Sequence, residues 1–292
     1  MKTMPAGLTA LLATGTTTLC RCWRVQRTDG VVFGFTDHDR LLSFAGTDYA
    51  PDSGFTASAI QDSLGLAVDT MEVGGALSSG VITEDDIALG RWDAAEIEIW
   101  VVDWSNVANR VIQRRATFGE IVRGDLAFAA ELRGLAHHLN QESGRTYSRN
   151  CDAVVGDARC AVNLADAAFA GIGLVTDAGD DQIIGVSGLA GFASGWFTQG
   201  VLTWTSGANV GTKAELRSHA GPTLVLWQRA ALPVAAGDSF TITAGCPKTF
   251  SACQAKFANA ANFRGFPHIP GNDFALGVVK SDAQNDGDSF FR

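Results

Sequence analysis

Along most of this chain apolar residues alternate with polar ones in short runs divided by glycine-bearing turns, the pattern of β-strands rather than of helices. In CRCWRVQRTDGVVFGFTDHDRLLSF two extended runs flank Asp29-Gly30, a dipeptide that supplies the positive φ angles of a tight hairpin turn. In DAAEIEIWVVDW the residues Ile97, Ile99 and Val101 alternate with Glu96, Glu98 and Trp100, which puts the aliphatic three on one face of a strand. RRATFGEIVRGDLAFAAELRGL predicts another hairpin, turning at Gly124-Asp125, with Leu126, Phe128, Ala130 and Leu132 on one face. From about residue 165 to 245 five or six further strands separated by Gly and Asp turns predict a small closed barrel.

Helical pattern is confined to short pieces. Leu8, Leu11 and Leu12 have the spacing of a short amphipathic helix near the N-terminus. TEDDIALG reads as a helix capped by Thr83, with Glu84 to Asp86 complementing the dipole and Gly90 stopping the turn. LAHHLNQESGR and SACQAKFANAANF predict two more, and the polar KSDAQNDGDSFFR is expected to be mobile or docked on a partner. The fold class is therefore mainly β, β-rich with a few short helices.

Composition narrows the function. The chain has 292 residues, 46% hydrophobic and 18% charged, enough for two domains with cores that do not need disulfides. A formal charge of -9 argues against a nucleic-acid binder, which needs clustered Lys and Arg. No run of about 18 apolar residues occurs, so no membrane span is expected. The opening MKTMPAGLTALLATGTTT lacks an export-signal pattern. A reducing compartment is thus expected, where six cysteines serve as free thiols or metal ligands rather than as disulfides.

The chief chemical signal is Cys151 and Cys160, spaced C-x8-C, followed after a long insertion by Cys246 and Cys253, spaced C-x6-C. Thiolates are soft ligands, and four suit zinc or an iron-sulfur cluster. Structural zinc usually takes tighter C-x2-4-C knuckles, whereas a cluster tolerates wider loops. On spacing alone zinc, a cluster, a disulfide and unligated thiols all stay open. Arg149, Arg159 and Lys248 lie close by in sequence and would stabilise an anionic site.

Other candidates read as structural. Cys20 and Cys22, at i and i+2 on a strand, are expected to be buried small hydrophobes. Asp37, His38 and Asp39 in TDHDR point different ways and suit turn chemistry. His137 and His138, adjacent on a helix, cannot face one ligand. His268 follows Cys253, but no flanking signature of a Cys-His peptidase accompanies them. No nucleophile elbow, phosphate loop or H-E-x-x-H is present.

CPKTFSACQAKFANAANFRGFPHIPGND and SRNCDAVVGDARCAVN, together with GFTDHDRLLSFAGTDYAPDSGF and MEVGGALSSGVITEDDIALGRWDAAEIEIWVVDW, resemble the tail-tip attachment proteins of long-tailed phages, the family of the phage lambda tail-tip protein L. The resemblance is closer still to the baseplate hub proteins of bacterial gene transfer agents. It implies a 4Fe-4S cluster on Cys151, Cys160, Cys246 and Cys253, with zinc as the alternative. It further implies a structural, non-enzymatic virion protein of the tail baseplate, made and assembled in the bacterial cytoplasm. The expected assembly is a homotrimeric ring between the distal tail protein ring and the large central fibre (megatron) protein, with a tail-associated cell-wall peptidase as a further partner or as the rival identity. DNA would pass through without specific binding, which the acidic balance favours. The expected domains are a tail-hub β domain over 1–145, an iron-sulfur domain over 146–164 and 246–275, an inserted barrel over 165–245, and a polar tail over 276–292.

Overall fold

The computed structural model of the chain describes residues 3–51, 56–57, 70–76, 82–123, 127–141 and 143–269, with the side chains of 56–57, 70–76, 123, 127–128 and 138 left out. It divides into two compact units, Met1–Ser143 and Gly144–Arg292.

The first unit contains α1 (Ala6–Ala13), β1 (Leu19–Gln26), β2 (Val32–Thr36), β3 (Leu42–Phe44), β4 (Thr47–Tyr49), β5 (Thr56–Ala57), β6 (Thr70–Ala76), α2 (Glu84–Ala88), β7 (Glu96–Asp103), β8 (Arg110–Arg123), β9 (Ala127–Arg133) and α3 (Leu135–Leu139). Among the described residues seven strands form one sheet in the order β2-β1-β7-β8-β9-β6-β5, and β3-β4 is a separate hairpin. Each paired neighbour runs antiparallel.

Strand β1 is buried on both faces. Trp23 and Val25 enter a core with Ile97, Ile99, Phe118 and Leu132, while Cys20 and Cys22 on the opposite face pack with Leu42, Phe44, Tyr49 and Val102. Both thiols are thus buried small groups, as expected. The Asp29-Gly30 hairpin forms, but Gly30 alone takes a positive φ, +88°. Asp29 instead accepts the Val31 amide (3.1 Å) and pairs with Arg27.

The regular alternation expected for β7 breaks. Ile97 and Ile99 are buried, but Val101 is half-buried and Val102 is fully buried on the other face. The register of β8 slips by one residue opposite Ile99 and Trp100, and from there the β3-β4 side chains cover the face that Val102 presents. A bulge and a change of cover move the buried face together.

In α2 the Thr83 hydroxyl accepts the Asp86 amide at 3.2 Å, and Gly90 follows with φ +67°. The N-terminal helix forms with Leu8 buried but Leu12 exposed, so only part of its expected apolar face is used. Helix α3 stops after five residues at Leu139. The turn at Gly124-Asp125 and Leu126 lie outside the described residues, as does the side chain of Phe128; Ala130 and Leu132 are buried as expected.

The second unit holds β10 (Ala170–Asp177), β11 (Ile183–Ser187), β12 (Val201–Trp204), β13 (Lys213–Ala220), β14 (Thr223–Leu226), β15 (Ser239–Thr243) and α4 (Phe250–Ala255). The six strands close into a barrel in the order β10-β11-β14-β13-β12-β15. Its interior is filled by Leu202, Trp204, Leu216, Leu224, Phe240 and Ile242 among others, supplied by alternate positions of each strand. First and last strands are neighbours, with Ala170 opposite Thr243. Both ends of the inserted segment therefore leave the barrel at one place.

The helix predicted through SACQAKFANAANF is interrupted. α4 ends at Ala255, Ala258 takes a left-handed φ of +48°, and a single 3-10 turn follows over Ala260–Asn262. Among the described residues no helix is long and apolar enough to cross a membrane.

Candidate functional site

The chain enters the barrel after one cysteine pair and leaves it before the other, so barrel closure draws the two thiol segments together. They join along their backbones. The Cys151 amide donates to the Lys248 carbonyl (2.8 Å) and the Phe266 amide to the Ser148 carbonyl (2.9 Å). A Cβ on Gly265 would fall 2.6 Å from the Asn150 carbonyl group, so only glycine permits this approach.

The loop from Cys151 to Cys160 is shaped by two aspartates. Asp157 Oδ1 accepts the amides of Cys160 (2.6 Å) and Arg159 (2.9 Å), and Oδ2 accepts that of Val154 (2.9 Å). Those amides, Cys160 first, hold its carboxyl below the ordinary value. Asp152 receives a two-pronged contact from Arg145 (2.6 and 3.0 Å) and a close one from Arg159. Both acids are committed to the loop's own structure.

The second pair is held differently. Cys246 lies three residues beyond β15, past Gly245, where a Cβ would fall 1.8 Å from the Thr198 carbonyl oxygen. Cys253 lies on α4, whose N-terminus is capped by Thr249 accepting the Ala252 amide at 3.3 Å. Lys248, between them, takes φ +63° and donates its ammonium to the Ala153 carbonyl in the other segment.

Cys246, Cys151 and Cys160 all lie within electrostatic reach of Cys253. Burial pushes the Cys253 thiol up, and Cys246, Cys151 and Cys160 each push it further. One flank is apolar, with Val162, Ala244 and Phe257 buried and Cys160 and Cys246 packed against them. Lys256 lies against the same flank, its ammonium 5.4 Å from the Phe257 ring centre. Its ammonium donates to the carbonyls of Gly245 (2.8 Å) and Trp196 and lies 4.7 Å from the Trp196 ring centre. Burial lowers its pKa and nearby Cys246 partly offsets this.

All six cysteines are free thiols. Among the described residues no three His, Cys, Asp or Glu side chains stand close enough together to hold a single metal ion. The donor set nonetheless fits a thiolate-bound group in kind, because its four members are all soft sulfur donors on two segments that the backbone joins.

The remaining sequence candidates do not join this site. Asp37 accepts the Arg21 amide (2.7 Å) and His38 Nδ1 the Arg40 amide (3.0 Å), which is the turn chemistry expected. His137 and His138 lie on α3, and the side chain of His138 is outside what is described. Cys253 Sγ donates to the Asn259 carbonyl (3.2 Å) rather than to His268. Sequence reasoning missed Asp157, Lys256 and Asn259; only Asp157, three residues before Cys160, had a local signal, the side-chain turn.

The family profile described as baseplate hub protein, N-terminal attachment domain, matches residues 5–163. The chain belongs to the baseplate hub protein family. A second profile, described as phage conserved hypothetical protein BR0599, matches residues 195–273. The first match contains Cys151 and Cys160 and the second contains Cys246 and Cys253. Among solved structures this hub protein is similar, over 98% of its length and 100% of the other chain, to a chain in the virion of a native gene transfer agent particle, at 41% identity and a TM-score of 0.87. No curated protein matches it.

Proposed function

We propose that this chain is the baseplate hub subunit of a gene-transfer-agent-type tail. It forms a ring, three copies in number, that closes the distal end of the tail tube between the distal tail protein and the central fibre protein, and lets DNA pass. The observation that carries this reading is the full-length match to a chain of such a virion, supported by the family match over residues 5–163. Its work is assembly and delivery rather than catalysis.

In the same reading Cys151, Cys160, Cys246 and Cys253 hold a 4Fe-4S cluster whose role is structural, in a domain over 146–164 and 246–275 interrupted by the barrel. The support is the backbone joining of the two thiol segments, Cys151 amide to Lys248 carbonyl at 2.8 Å, together with the nearness of Cys246, Cys151 and Cys160 to Cys253. When bound, the cluster would supply a cross-link between the two segments. Asp157 would set the first loop, and Lys256 would offset thiolate charge beside Cys246.

Two measurements test this. Protein purified without air should be brown and contain iron and acid-labile sulfide; a colourless protein with one zinc refutes the cluster. A particle reconstruction should show a ring of hub subunits, and a single copy per tail refutes the ring.

A further inference from the structure

We propose that Asn259 is a positioning residue of the four-thiol site, tying the thiol pair before the barrel to the pair after it and aiming an amide N–H at the sulfur of Cys160. This rests on the reading of the four cysteines as cluster ligands.

Asn259 lies six residues past Cys253, directly after the left-handed Ala258, φ +48°. Its backbone is bonded to Cys253. The Asn259 amide donates to the Cys253 carbonyl at 3.0 Å, and the free Cys253 thiol donates to the Asn259 carbonyl at 3.2 Å, a bond that ligation of the sulfur would remove. Its side chain crosses to the other thiol segment, where Nδ2 donates to the Cys160 carbonyl at 2.6 Å and lies 3.9 Å from Cys160 Sγ. A carbonyl can only accept, so the end of the amide facing Cys160 is the NH2 group. Its Oδ1 accepts from Asn262 Nδ2 at 2.7 Å, which holds the amide in that orientation.

One residue thus joins the two thiol pairs, its backbone bonded to Cys253 and its side chain to Cys160 across 99 residues of sequence. The NH2 group carries two protons, one engaged by the carbonyl and one available to the sulfur. A donor beside a thiolate ligand favours the more negative state, so it favours the reduced form of a bound cluster and raises its potential.

The test uses full-length wild-type protein, Asn259→Ala, Asn259→Asp and Asn262→Ala, each purified without air, assayed for iron and acid-labile sulfide, and titrated with dithionite in the presence of redox mediators. The potential should fall in the order wild type, Asn262→Ala, Asn259→Ala, Asn259→Asp, because these successively loosen the donor, remove it, and replace it by a negative charge. A tenfold loss of preference for the reduced form reads as about 59 mV. A residue that served only as a clamp would lower cluster content without ordering the potentials. If Asn259 variants load no cluster, Asn262→Ala decides: a lowered potential supports the inference and an unchanged one overturns it. Unchanged potentials in loaded variants overturn the inference while leaving the cluster reading intact. Wild-type protein without iron and sulfide overturns the cluster reading itself.

Discussion

Replacing Cys253 by serine removes one of the four proposed ligands, and the barrel decides what that costs. In sequence 85 residues separate Cys160 from Cys246, and a cross-link around a loop of that length would remove about 5 kcal/mol of unfolded-chain entropy. The folded barrel already holds most of that loop closed. Ala170 pairs with Thr243 and the Ala244 amide donates to the Phe169 carbonyl at 2.7 Å. What the cross-link still closes is the nine residues Ala161–Phe169 and the two residues Ala244 and Gly245. For eleven residues the same relation gives about 3 kcal/mol.

Cys253→Ser should therefore loosen the thiol segments, residues 144–164 and 245–269, while the barrel keeps its own stability. About 3 kcal/mol corresponds to roughly 100-fold faster amide exchange in the thiol segments. Hydrogen exchange read by mass spectrometry, comparing those peptides with peptides from 170–243, measures this directly. Equal loss of protection in the barrel would refute the claim that it stands by itself. Unchanged protection in the thiol segments would refute the cross-link.

In particles, Cys253→Ser should give tails that stall or lose the central fibre, and assembled, fibre-bearing particles would rule out a structural role. Asp103 is 4% exposed and accepts from Ser105 Oγ, Thr18 Oγ1, the Ser105 amide and Asn109 Nδ2 at 2.6, 2.7, 3.0 and 3.3 Å. Burial alone would raise its pKa, but these bonds prevail and hold it at about 2 against an ordinary 3.8. With the folded value depressed, the stabilisation is present above pH 3.8 and is lost as pH falls towards 2; Asp103→Asn should cost about 1–2 kcal/mol at pH 7, after screening near the surface, and almost nothing at pH 2, by urea denaturation. Phe240→Ala, at a fully buried barrel position, should cost about 3–5 kcal/mol, read as a lowered barrel melting temperature by circular dichroism.

What was legible in the sequence was what neighbours in sequence decide. The Asp29-Gly30 turn, the Thr83 cap and the alternation that builds the barrel are each set within a few residues, and each appears in the structure. The exchange of Val101 for Val102 as the buried residue was not legible, because it depends on a bulge in β8 and on cover from β3 and β4. The break at Ala258 likewise overrides a helical pattern, since Asn259 must turn back to reach Cys160. The two cysteine pairs were visible by spacing. The groups that orient them were not, because Asn259 meets Cys160 across 99 residues and Lys256 meets Trp196 across 60.

The distribution of charge bears on what state these thiols work in. Residues 144–164 and 245–269 contain six basic side chains, Arg145, Arg149, Arg159, Lys248, Lys256 and Arg264, and two acids, Asp152 and Asp157. That is a net +4 within a chain of net -9, so the rest carries -13. Asp152 is taken up by Arg145 and Arg159, and Asp157 by backbone amides. Among the described residues the other four cations meet carbonyls rather than carboxylates: Arg149 at Ile269 (2.9 Å), Arg264 at Arg159 (3.2 Å), Lys256 at Gly245 (2.8 Å), and Lys248 at Ala153. Carbonyls satisfy their donors but leave their charge in place. Four neutral thiols or a disulfide would leave that charge to solvent. Four thiolates balance it, yet burial and their mutual repulsion push Cys253 towards the protonated form. In the proposed reading a bound cationic centre would resolve the conflict, holding the sulfurs deprotonated while the surrounding cations offset the net negative charge that four thiolates would impose.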